Sequence, residues 1–174
     1  MTWFDDLPEG PTEWDRMHAA HPEALSAMAR LYFAAWEDSD PVLLELARLR
    51  MATLLRFDDE HRHRSRAARE AGLSEEKAAA VGSWPTSPLF SDAERSCLAL
   101  VEQFALDASA VTDEQVSAVA AHLGDDGCYV FVEAVSAIET FQRACLTMGI
   151  TTTPGVDRLV ELGHPRSTEQ EETS

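Results

Sequence analysis

Glu60, His61, His63 and Arg64 crowd into a few residues of the segment Glu45–Gly72, ELARLRMATLLRFDDEHRHRSRAAREAG. A carboxylate and imidazoles can pass protons near neutral pH. A guanidinium beside them can hold a carboxylate or a developing oxyanion through paired N–H bonds. The segment carries seven arginines against five acids (Glu45, Asp58, Asp59, Glu60 and Glu70), so it is locally +2 in a chain of formal net charge −17. No other stretch gathers so many chemically versatile groups.

Other chemistries fit the sequence poorly. Cys97, Cys128 and Cys145 are scattered, with no CxxC, so neither a zinc knuckle nor a local dithiol is available. On apolar stretches they read as buried thiols. Glu45, Glu60 and His61 make a poor metal set, because neighbours in sequence cannot both ligate from one helix and no HxxxH accompanies them. No metal and no cofactor is expected, and no Ser–His–Asp signature is present.

The acidic balance, 31 acids against 14 bases, argues against nucleic acid and against anionic membranes as partners. No apolar run is long enough to cross a bilayer. The N-terminal MTWFDDLPEGPTEWD lacks the basic and apolar regions of a secretory signal, which points to the cytoplasm.

Helices must position these residues, since nothing reads as a strand with turn signals. Residues 1–21 read as an irregular acidic arm anchored by Trp3, Phe4 and Trp14. One domain then spans 22–163, and 164–174 form a polar, disordered tail. Within the domain a helix covers 22–38, and Asp40-Pro41 starts another. That second helix is apolar nearly all round, so Glu45 on it must be paired or functional. A helix over 58–71 would turn Phe57, Glu60, His61 and Arg64 inward and leave His63 on a solvated face. Ser74 caps a short helix, and Trp84-Pro85-Thr86-Ser87-Pro88 is a loop. Ser91/Glu94 and Thr112/Gln115 are capping boxes opening helices to about Leu106 and His122. After Gly124 a long apolar segment reads as the buried central helix, and 154–162 as a last short one. The class is all-α, with about eight helices.

The order of these parts is specific. ELARLR, the arginine-rich stretch ending AREAGLSEEK, SPLFSDAERSCLALVE, VTDEQVSAVAAHL and a long apolar helix with ETFQR follow one another over residues 40–150. This order resembles the carboxymuconolactone decarboxylase and alkylhydroperoxidase-D-like superfamily. The resemblance implies an AhpD-like helical fold and assembly into trimers or hexamers. Glu45, Phe57, Glu60 and Arg64 stand where redox members carry a Glu, the two Cys of a CxxC and a His. Only Glu45 carries over, as a proton-relay position. Peroxidase chemistry needs a thiolate and a resolving thiol, which Phe and Glu cannot supply.

The expected function is therefore a non-redox enzyme acting by proton transfer on a small metabolite, with or without a carboxylate. Decarboxylation, isomerisation, elimination and cyclisation all remain open. Glu45, Glu60 and His61 are the catalytic candidates, with Arg64, Phe57 and Trp84 lining one shared pocket. Each has a structural alternative. Glu45 can pair with Arg48, Arg64 or Arg143, His61 can be a hydrogen-bonded core imidazole, and Glu60 can pair with Arg64 one turn away. Trp84 can simply fill space. Tyr129, Glu133, Glu139 and Gln142 are further candidates. The rival function is an inactive member that binds a small ligand or serves in an assembly.

Overall fold

A computed structural model describes residues 7–165, and these are all-helical, without strands. Eight α-helices follow in order: α1 (Glu13–Ala20), α2 (Pro22–Glu37), α3 (Pro41–Leu55), α4 (Arg66–Glu70), α5 (Glu75–Ala79), α6 (Asp92–Asp107), α7 (Asp113–Thr147) and α8 (Val156–Gly163). A 3₁₀ turn, Asp58–Arg62, lies between α3 and α4.

Local signals set most boundaries. Asp40 caps α3 by accepting from the N–H groups of Val42 and Leu43, with Pro41 at the first helical position. Both capping boxes form, Ser91 with Glu94 and Thr112 with Gln115. The loop after Trp84 is tied down by Arg95, whose guanidinium donates to the carbonyls of Trp84, Pro85 and Ser87.

Helix α3 is enclosed on all sides, with Leu44 to Leu49 buried without a break. One of its faces joins the main core of α1, α2, α6, α7 and α8 through Leu44, Ala47 and Met51. The other, with Leu46 and Leu49, meets Ala68, Leu73, Val81 and Phe90 in a second cluster. Helix α7 buries the stripe Cys128, Phe131, Val135, Ile138, Phe141 and Cys145 at helical spacing. Its backbone breaks at Gly124 (φ 74°, ψ 170°), a conformation that side chains resist, and this separates the two runs read from the sequence.

Two expectations need correcting. The arm is not irregular over 13–20, because Thr12 caps a helix whose Trp14 and Met17 enter the main core. Trp3 and Phe4 lie outside the described residues, as does the tail from 166 onward. Nor is 58–71 one helix. Arg56 adopts the left-handed conformation (φ 57°) and stops α3, and the Phe57 N–H bonds back to the Ala52 carbonyl. The 3₁₀ turn follows, then an extended break at His63 and Ser65. Ser65 starts α4 by accepting from the Ala68 N–H. Short polar side chains that bond the backbone locally compete with helix here.

Candidate functional site

The broken segment wraps around one side chain of α3, that of Arg48. Its guanidinium is fully buried and all five N–H donors are used. Two grip the Glu45 carboxylate, Nε to Oε2 and NH2 to Oε1, each at 2.8 Å. NH1 reaches the Glu60 carboxylate at 2.8 Å and the Glu60 carbonyl at 2.9 Å, and NH2 reaches the His63 carbonyl at 2.9 Å. Glu45 also accepts from the Ser65 N–H, and Glu60 from the Gln142 amide on α7. Burial opposes the Arg48 charge, but the Glu45 and then the Glu60 carboxylates more than offset it and hold the guanidinium above its ordinary pKa.

Glu45 and Glu60 are thus closed off, at 0% and 1% exposure. The Glu60–Arg64 pair expected from helical spacing is absent, because the 3₁₀ turn and the break remove the geometry it needs. Arg64 instead donates to the His61 and His63 carbonyls and pairs with Glu75. Nor do the six candidates share one pocket. Phe57 is a core side chain. Trp84 sits in the second cluster and donates to Glu102, which pairs with Arg50. His61 is half-buried beside Thr53, 3.3 Å from its hydroxyl. That hydroxyl donates to the Leu49 carbonyl, so His61 Nε2 is assigned as the donor and Nδ1 as the acceptor. Burial, then the Arg48 and Arg64 charges, lower the His61 pKa and favour the neutral ring.

The sequence reading underrated two residues. Arg48, offered only as one of three partners for Glu45, is the hub. His63, placed on a solvated face, is half-buried against the loop before α8. Its Nε2 lies 3.6 Å from Asp59 Oδ2, and a Cβ at Gly155 would come within 2.6 Å of its Nδ1. Asp59 is itself buried and accepts from the Thr153 N–H at 2.7 Å. Thr153 Oγ1 lies 3.1 Å from both Asp59 and Glu60 and shares one proton between them. A chain of polar contacts therefore runs from the buried Glu60 through Thr153 and Asp59 to His63. His63 opens on a polar hollow of about 330 Å³ between the 62–64 stretch, Arg69 and the start of α8. No cluster of three or more His, Cys, Asp and Glu suited to a metal ion is found among the described residues.

The three thiols lie elsewhere. Burial pushes the Cys97 thiol up to about 12, and burial also raises Cys145 and Cys128.

The all-helical body, with the long helix α7 packed behind α3, has an AhpD-like fold. The carboxymuconolactone decarboxylase family profile matches residues 22–103, which holds α2, α3, the 3₁₀ turn and most of α6. The fold is similar to the crystal structure of an Agrobacterium tumefaciens protein of unknown function, for which the antioxidant defence role of AhpD has been suggested. The TM-score is 0.66 at 21% identity, covering 79% of this chain and 95% of that one. No curated protein matches the sequence significantly. The profile match over residues 22–103 and the likeness of fold together support a relationship to the carboxymuconolactone decarboxylase and AhpD-like superfamily.

Proposed function

We propose that this chain is a non-redox member of its superfamily, moving a proton on a small carboxylated metabolite. The observation that carries this reading is what occupies the dithiol positions. Phe57 is packed in the core and Glu60 is clamped with Glu45 on Arg48, while every described thiol is buried and held protonated. A thiolate nucleophile is therefore disfavoured at working pH.

The Glu45–Arg48–Glu60 cluster acts as a frame in this reading. Arg48 fixes the Glu60 and His63 carbonyls, and so sets the path of the chain on which both imidazoles sit. His63 is the proton carrier that meets substrate, with Asp59 behind it as its electrostatic partner. Their 3.6 Å separation leaves room to tighten when a ligand closes the hollow. His61 has a neutral ring and an available Nδ1, and is the second candidate. Glu45 keeps its expected importance as a positioning residue rather than as the group that touches substrate.

The test is solvent-deuterium incorporation into a panel of small carboxylates, followed by proton NMR. His63→Gln is expected to slow exchange by about 10²–10⁴, with the far-ultraviolet circular dichroism unchanged. If His61→Gln rather than His63→Gln abolishes exchange, the roles are reversed. A protein that binds members of the panel but exchanges none of them supports the rival reading, a ligand-binding member without catalysis. The complete internal pairing of Glu45 and Glu60 favours that rival.

A further inference from the structure

The hollow beside His63 is basic in a chain that is strongly acidic. Arg62, Arg64 and Arg69 line it against a single acid, Asp157, so with His63 neutral its wall carries +2 in a molecule of −17. Asp157 is already engaged, accepting from the Arg66 N–H at 2.9 Å. Arg64 is held by two carbonyls and by Glu75. Arg62 is only loosely paired: its side chain is 74% exposed and its ion-pair partner, Asp59, stands at 3.6 Å, too far for a hydrogen bond, so its N–H donors can turn to a ligand. No ion pair holds Arg69 among the described residues. Two guanidiniums thus keep unused donors toward one concavity.

A second feature points the same way. Helix α8 begins on this hollow at Val156, and its N-cap is Gly155, which has no side chain to cap the first N–H groups. The positive end of a helix and its uncapped N–H groups attract anions. Gly155 is at φ 84°, and any side chain there would strike His63. The concavity therefore depends on glycine at this position.

We infer that this hollow binds a small dianionic oxyanion, held by Arg62, Arg69 and the α8 N-terminus: a phosphate group, or two carboxylates on one molecule. Guanidinium forks match both geometries. For turnover this rests on the proton-transfer reading, which places His63 at the hollow's edge; for binding it stands alone. The inference then names the substrate class as dianionic, and places its charged end away from the buried Glu45 and Glu60.

The experiment is a titration of the full chain at low ionic strength and pH 8. The probes are inorganic phosphate, malonate and acetate, followed by calorimetry and by the Gly155 amide resonance. Saturable binding of phosphate or malonate, much tighter than acetate, with a shift at Gly155, is expected. Which of the two binds tighter assigns the source of the charge. Arg62→Gln and Arg69→Gln are each expected to weaken binding about tenfold, while Arg30→Gln, at an exposed position of α2, changes nothing. Added salt should weaken it further. Absence of saturable binding, equal affinity for acetate, or equal loss with Arg30→Gln overturns the inference. Dianion binding without proton exchange on any dianionic carboxylate would overturn the proposed reaction and leave this site standing. Exchange on monoanions with no dianion binding would do the reverse.

Discussion

At the scale of single residues, Arg48 decides how the site is built. It faces two buried carboxylates, and each would be costly to leave unpaired. Arg48→Ala is therefore expected to destabilise the protein by roughly 3–5 kcal/mol, measured by urea denaturation. A loss under about 1 kcal/mol, the range of exposed ion pairs, would show that the cluster is not the frame described. The sequence made Glu45 legible as a residue that must be paired or functional, with Arg48 as one of three possible partners. It did not reveal that Arg48 also holds Glu60. That contact joins residues in two different elements, and helical periodicity offered the nearer Arg64 instead. His63 was misread for the same reason, since its face follows from a break in the helix and not from the wheel.

The thiols allow a prediction with a definite sign. Cys97 is raised from 9.0 to about 12 in the folded chain. The folded state then holds a proton that the unfolded state releases, so stability is full below about pH 9 and falls as pH rises toward 12. Urea denaturation across that range should show the decline, and Cys97→Ala should reduce it. A flat profile would contradict the burial argument.

At the scale of elements, capping residues and glycines placed most boundaries. Ser91, Thr112, Asp40 and Ser74 start helices where their side chains bond the first turn. The failure at 58–71 has a physical cause. Arg56 in the left-handed region and Ser65 as a cap are weak signals, and an arginine- and alanine-rich run has high helix propensity. Tertiary pairing to Arg48 overrides that propensity. Gly124 gives the matching test in α7. A residue other than glycine at φ 74°, ψ 170° costs about 1–3 kcal/mol. Gly124→Ala should lower the urea midpoint accordingly, whereas an unchanged or raised midpoint would mean that the helix straightens through this position without penalty.

At the scale of the whole molecule, the core organisation was readable because apolar spacing on α2 and α7 is strong and α3 is apolar nearly all round. The helical identity of the arm was not, since Pro8, Gly10 and Pro11 obscure the short α1 that follows them. No helix among the described residues is long and apolar enough to cross a membrane. Tyr129 and Leu31 are exposed large apolar side chains lining one groove between α2 and α7. Together with the assembly that the superfamily resemblance implies, they lead us to expect trimers or hexamers. Light scattering should then give three or six times 19.2 kDa, and a mass of one chain would contradict that expectation.

The central claim is the proposal that this chain lacks the dithiol chemistry of the superfamily's redox members. It is tested most directly by turnover of an organic hydroperoxide with a dithiol reductant. The account predicts that the native protein consumes hydroperoxide no faster than the variant carrying Cys97→Ser, Cys128→Ser and Cys145→Ser together. Catalytic consumption by the native protein that disappears when any one of these cysteines is replaced would contradict it.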